Sequence, residues 1–221
     1  MAGRWRRKLQ WVVIDIDTQV DLIPALNGPG TAALRRNIRR LIAWARLNHI
    51  PVISTALTHR VEDFSGTDSE PPFCIEGTRG HRKIHYTLLP NHLFFGPSKS
   101  TDLPRNLFRD YQQIIFEKRT DDTFAHPRAD RLLTEFTADE FVVFGTGLET
   151  GLRATVLGLL SRRKPVAVVT DAICMGDDNA SRLTLRKFKA KGAKLVTTAD
   201  LAGQRRHREN AFARIIAHKH T

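Results

Sequence analysis

A three-layer α/β/α sandwich around a mostly parallel sheet of about six strands is the fold this sequence predicts. Short apolar, β-branched runs alternate with segments of helical period, and the runs are continuously apolar, as in strands buried on both faces. The chain has 221 residues, 41% hydrophobic and 26% charged, which suits one α/β domain spanning 1–221 and argues against extensive disorder. Strands are predicted at 11–17, 51–57, 112–118, 140–146, 165–171 and 193–199, and helices at 31–48, 128–137, 151–163 and 178–191. In the first helix Leu34, Ile38, Leu41 and Ile42 recur at spacings of three and four, the apolar stripe of a helix lying on a sheet. Residues 58–110, rich in Pro, Gly, His and Asp, read as a long connection with a short helix near 84–89, the kind of segment that covers a site. Leu201, Phe212, Ile215 and Ile216 suggest a terminal helix within 200–218.

The formal net charge is +12, and it is concentrated at the two ends. Residues 1–10 carry +4 and residues 182–221 carry +9, leaving 11–181 at −1, so basic N-terminal (1–10) and C-terminal (200–221) extensions flank a nearly neutral middle. Such a footprint attracts polyanions, but no zinc finger, aromatic RNA-binding motif or Gly-rich clamp accompanies it, and nucleic acid is the lesser reading. Apolar runs reach only about seven residues, far below the roughly 18 of a membrane span. Gln10, Asp15 and Asp17 interrupt what would be the apolar stretch of a signal peptide, so a cytoplasmic protein is expected. Cys74 and Cys174 form no metal-ligand spacing and are expected as reduced thiols.

In open parallel sheets the loops after the carboxyl ends of strands gather into one crevice. The polar residues there are Asp17 and Gln19 after the first strand, Thr58 and His59 after the second, Lys118 after the third, and the run Gly145 to Gly151 after the fourth.

These residues carry a family resemblance. Asp17-Thr18-Gln19-Val20-Asp21-Leu22, following an aliphatic run, resembles the Asp-x-Gln-x-Asp-Phe opening of the isochorismatase-like (cysteine hydrolase) superfamily. PPFCIEGTRG at 71–80 is similar to that family's Pro-x-x-Cys-x-x-Gly-Thr-x-Gly loop, and Lys118 with Asp122-Thr123-Phe124 resembles its catalytic-lysine segment. FGTGLETGLRATVLGLL (144–160) resembles its Gly-rich turn and nucleophile helix, and the likeness runs in order over roughly 11–200.

The resemblance implies catalysis by Asp17 and Lys118, with Gly151 standing where the family's amidases carry their nucleophilic cysteine. Isochorismatases proper also have glycine there and cleave a vinyl ether without a covalent intermediate, so the same chemistry is implied here: Asp17 as acid, Lys118 orienting it or holding a substrate carboxylate. Substrate contacts are expected from Gln19, His59, Phe124, Gly147, Leu148, Glu149 and Thr150. The resemblance suggests a cis peptide near Gly147-Leu148 that aims backbone N–H groups at the substrate, with amides at the start of the Gly151 helix as an anion site. Glu149 either caps that helix or enters the pocket as a second acid, and His59 either donates to an anionic substrate or stays in a surface loop. Arg60, Arg79, Arg119 and Arg153 are further candidates for a carboxylate partner, and Phe64 and Phe73 for the pocket wall. The family's nicotinamidases bind metal through an Asp-x-His motif, but Leu57 and Asp63 stand here where ligands are needed, so no metal and no cofactor are expected. Family members form dimers or larger assemblies, and a homo-oligomer is implied. The leading function is therefore a cysteine-independent hydrolase of a small anionic metabolite. The alternative is a catalytically silent scaffold that binds a metabolite, assembles, or contacts nucleic acid.

Overall fold

The computed structural model describes residues 9–23, 29–64, 71–175 and 178–201. Its strands are β1 (Leu9–Ile16), β2 (Val52–Leu57), β3 (His92–Phe95), β4 (Gln113–Lys118), β5 (Ala138–Gly145), β6 (Val166–Ile173) and β7 (Lys194–Val196). They form one sheet in the order β3-β4-β2-β1-β5-β6-β7, and every pairing is parallel. The helices are α1 (Pro29–Leu47), a single turn α2 (Leu107–Asp110), α3 (Pro127–Glu135), α4 (Gly151–Ser161) and α5 (Asp178–Ala190). Among the described residues, no helix is long and apolar enough to cross a membrane.

The sheet has seven strands rather than the expected six. The additional one, β3, lies at the edge with residues alternating between exposed and half-buried, so it lacks the continuous apolar run that marks the inner strands. The short helix expected near 84–89 is a 3-10 turn, His85–Thr87. Leu9 and Gln10, counted by charge with the N-terminal extension, already belong to β1, where Leu9 pairs with Ala138. The expected terminal helix at 200–218 lies outside the described residues except at its start.

Alternate residues of the central strands feed two cores. Val13, Val52, Val142 and Phe144 pack with Leu34, Ile38, Leu41 and Trp44 of α1 on one face. Val12, Ile14, Ile16, Ile53 and Val143 pack on the other face with Leu132 and Leu133 of α3, Leu152 and Val156 of α4, and Phe188 of α5. From β1 the sheet extends in one direction through β2, β4 and β3, the chain reaching edge strand β3 before it returns to β4, and in the other through β5, β6 and β7. The strand order reverses between β1 and β5, so their carboxyl ends open a crevice.

Gly145 makes that crevice possible. It pairs with Ile16 at φ +132°, and a Cβ there would lie 2.1 Å from the Ile16 carbonyl oxygen, so only glycine lets β5 run this close to the end of β1. Thr146 fixes the exit: its N–H donates to Ile16 O (2.9 Å) and its hydroxyl to Asp17 O (2.9 Å).

Below the crevice, on the α1 face, a buried polar network ties the 81–89 segment to the sheet. Asp15 Oδ2 accepts from Ser54 Oγ (2.9 Å) and Lys83 Nζ (3.0 Å), and Lys83 also donates to Thr18 Oγ1 (2.9 Å) and Thr55 O (3.1 Å). Gln113 extends the network, donating from Nε2 to Ser54 Oγ and Thr87 O, both at 2.8 Å. The Asp15 and Lys83 side chains are 0% and 4% exposed, so removing one charge strands the other without water. Lys83→Met is expected to lower unfolding stability by about 3–5 kcal/mol in urea titration. Adding Asp15→Leu to that variant is expected to recover part of the loss.

Candidate active site

Asp17 follows β1 with φ +47°, a left-handed conformation that aspartate tolerates and that turns the chain off the sheet. Its carboxylate is held from two sides. Oδ1 accepts from Thr55 Oγ1 of β2 at 2.6 Å, and Oδ2 accepts from Lys118 Nζ, the last residue of β4, at 2.7 Å. Thr55 Oγ1 also accepts from the Asp17 N–H at 3.2 Å, so one hydroxyl locks both ends of the residue. Asp17 and Lys118 are 3% and 2% exposed, and the β1–β2–β4 register brings them together. Lys118 Nζ spends a second N–H on Thr120 O (3.1 Å); its third finds no acceptor among the described residues.

Gly151 begins α4 and is buried. A Cβ at this position would lie 3.0 Å from Asp17 Oδ2, 3.4 Å from Asp121 O and 3.7 Å from Asp121 Oδ1. The nucleophile position of the family resemblance therefore stands against the Asp17 carboxylate that Lys118 holds, and Asp121 lies beside it as well. Gly147, at φ +64°, shapes the turn before it, and its carbonyl accepts from Thr150 N (3.0 Å) and Leu152 N (2.9 Å). The N–H groups of Leu148, Glu149 and Gly151 have no acceptor among the described residues.

The other expected site residues divide. Gln19 is spent on structure, donating to Leu57 O and His81 O and accepting from Leu57 N, all at 2.7 Å. The Leu148 side chain is wholly buried in the core beneath α4, so only its backbone faces the turn. Thr150 is exposed at the N-cap of α4 and makes no side-chain capping bond. Glu149 makes no capping bond to α4 among the described residues; its Oε1 accepts from Ser181 Oγ of α5 at 2.6 Å. The Phe124 ring packs on Gly158 of α4, where a Cβ would collide with it at 2.1 Å, beneath the Arg162 guanidinium 3.8 Å from its centroid. Its contacts serve α4 rather than the Asp17–Lys118 pair. No cis peptide occurs among the described residues, so the Gly147–Leu148 bond is trans, against expectation. Positive φ at Gly147 supplies the sharp turn instead.

His59 reaches the edge of the site. Its ring is set edge-on against Phe73 (5.0 Å) and Phe64 (5.2 Å), and its Nδ1 lies 3.9 Å from Asp63 Oδ2. Burial pushes the imidazole below its ordinary value, partly offset by the Asp63 and Asp121 carboxylates and reinforced by Lys118 and Arg119. Its Nε2 is buried without a partner. Among the described residues no three His, Cys, Asp or Glu side chains converge as a metal site, and with Leu57 beside this lone imidazole the donor set does not fit the metal of the family's nicotinamidases.

Sequence reasoning missed Thr55 and Asp121. A threonine in the apolar run of β2 was the available signal for the first; the second sits in a loop that only the fold carries to Gly151. It also missed a cleft of about 360 Å³ beside Lys118, bounded by residues 97–99, 117–120 and 125–127. The cleft depends on β3, whose far end delivers Ser98 and Lys99.

The sequence from 11 to 200 matches the isochorismatase domain family, and the chain belongs to it. Solved structures agree in fold. An isochorismatase family protein from Desulfovibrio vulgaris superposes with a TM-score of 0.65 at 20% identity, covering 88% of this chain and 97% of that one. A nicotinamidase from Bacillus subtilis gives 0.64 at 18%, covering 85% and 99%. A ribonuclease from Caenorhabditis elegans, MAR1, gives 0.57 at 17%, covering 90% and 83%. No curated protein matches the sequence.

Neither cysteine stands in for residue 151. The Cys74 thiol is pushed up to about 12, first by burial and then by the Asp21 and Asp17 carboxylates, with Lys118 opposing. Burial and Glu149 raise Cys174 as well. Incubation of the folded protein with iodoacetamide at pH 8 is expected to leave Cys74 unmodified by peptide mass spectrometry, whereas urea-unfolded protein is alkylated there.

Proposed function

We propose that this protein hydrolyses a small anionic metabolite by Asp17/Lys118 acid–base chemistry, without a covalent cysteine intermediate. The observation that carries the reading is the geometry at Gly151. A buried aspartate–lysine pair stands at the nucleophile position, its Asp17 Oδ2 3.0 Å from where a Cβ would stand, and the residue there has no side chain. Lys99, Lys118 and Arg119 outnumber Glu117 in the adjoining cleft, which favours an anionic substrate group.

A vinyl ether bearing a carboxylate suits this arrangement. Asp17, in its acid form, gives its proton to the terminal enol carbon; water adds to the resulting oxocarbenium, and the hemiketal collapses to a keto acid and an alcohol. Thr55 and Lys118 hold the Asp17 carboxyl in place, and the remaining Lys118 N–H reaches for the substrate carboxylate. The test is a hydrolysis screen with isochorismate beside simple amides such as nicotinamide. Pyruvate release by the wild type is expected, with Asp17→Asn slower by about 10²–10⁴-fold. Gly151→Ala, whose methyl would press on Asp17 Oδ2, is expected to be slower by at least roughly tenfold while staying folded. An Asp17→Asn variant as fast as wild type contradicts the reading.

A specific observation favours the second reading, a scaffold that contacts nucleic acid. Arg35, Arg36, Arg39 and Arg40 of α1 line an open groove of about 620 Å³ with no acidic residue in its wall, and α1 itself contains none. The ribonuclease among the fold relatives makes RNA the first ligand to try. That reading predicts single-stranded RNA binding that weakens steeply with salt, and a shallower salt dependence for Arg36→Ala/Arg40→Ala. Salt-insensitive or absent binding leaves only the hydrolase.

A further inference from the structure

We propose that Asp121 is the base that activates the hydrolytic water, and that this water occupies the space left by the missing side chain of residue 151. The inference rests on the non-covalent reading above and assigns the one reactant that reading leaves unplaced. Asp17 Oδ2 lies 3.0 Å from the point a residue-151 Cβ would take, and Asp121 Oδ1 and O lie 3.7 and 3.4 Å from the same point. A side chain of any kind would fill that space; with glycine there, a water oxygen in van der Waals contact with the Gly151 Cα has two carboxylates close by as hydrogen-bond acceptors.

The two aspartates differ in the way their tasks require. Asp17 is buried and fixed by Thr55 and Lys118, which suits a group that must deliver a proton to one carbon atom. Asp121 is exposed, and its carboxylate accepts no hydrogen bond and joins no ion pair among the described residues. Of the nearby cations, Lys118 is engaged with Asp17 and Thr120 O and Arg119 with Glu76 at 3.5 Å; His59 feels the Asp121 carboxylate, but its Nδ1 lies toward Asp63 at 3.9 Å and burial pushes its imidazole toward the neutral form. The adjacent Asp122 is also occupied, accepting from the Phe124 N–H at 2.9 Å. Asp121 is thus the carboxylate at this site with both oxygens available to water.

The proton accounting closes without a further reactant. Asp17 loses its proton to the enol carbon, forming a C–H bond. As the water oxygen bonds to the oxocarbenium carbon, Asp121 takes a water proton, giving a neutral hemiketal hydroxyl. Asp121 returns that proton to the departing ether oxygen as its C–O bond breaks, and the hemiketal hydroxyl proton passes to Asp17 as the ketone forms. Both aspartates end as they began.

Two measurements test this. A crystal structure of the wild type is expected to hold an ordered water beside Gly151 within hydrogen-bond distance of Asp121 and Asp17, and the Gly151→Ala structure to lack it. An empty or differently bonded position overturns the proposal even if no substrate is turned over. With a substrate the wild type hydrolyses, Asp121→Asn is expected to lower kcat by about 10²-fold with KM within threefold, unfolding temperature unchanged, and the acidic limb of the kcat–pH profile lost. A raised KM with unchanged kcat makes Asp121 a substrate contact and overturns the proposal. If Asp17→Asn is inactive but Asp121→Asn is not, the hydrolase reading stands and this inference alone falls.

Discussion

The ion pair between Asp17 and Lys118, 2.7 Å long and almost closed to solvent, is the contact on which the rest of the site depends. It joins the carboxyl ends of β1 and β4 across β2, so it exists only if all three strands hold their parallel register. Two charges withdrawn from water are costly unless their remaining hydrogen-bonding capacity is met. Thr55 on Asp17 and Thr120 O on Lys118 meet most of it, one Lys118 N–H being left without an acceptor among the described residues, and Thr146 secures the backbone of the turn. The Asp17 side of this pair stands against Gly151, 3.0 Å from where a Cβ would lie.

The second buried pair, Asp15 with Lys83, repeats the chemistry on the opposite face for a different end. Its lysine comes from the long connection rather than from a strand, and its hydrogen bonds to Thr18 and Thr55 O run beneath the residues that hold Asp17. Thr55 links the two networks, its carbonyl accepting from Lys83 and its hydroxyl donating to Asp17. The rigid floor and the reactive surface of the crevice therefore share a strand residue.

The inner strands were legible because each carries a run of apolar, β-branched residues, and Asp17, Lys118 and Gly151 because each sits in a family motif at or just after the carboxyl end of such a strand. Edge strand β3 was not, since one solvated face breaks the run. Asp121 and Lys83 sit in connections whose destinations depend on tertiary packing, and no local pattern distinguishes them from solvated loop charges. The packing of the Phe124 and Leu148 side chains was hidden for a related reason: an aromatic or aliphatic residue near a site packs into the core as readily as into the pocket, and here Gly158 and the core beneath α4 claim them, leaving the Leu148 backbone at the turn. Glu149 found a hydroxyl on a neighbouring helix, a partner that sequence spacing does not reveal.

In the proposed reading residue 151 sets the chemistry, because a glycine can admit water where a cysteine would form a bond to the substrate. The most direct test is intact-protein mass spectrometry on the wild type, acid-quenched during turnover of isochorismate. Non-covalent hydrolysis predicts an enzyme of unaltered mass at every time point while product accumulates. A substrate-derived adduct that forms and decays at the turnover rate, mapped to Cys74 or any other side chain, would contradict it.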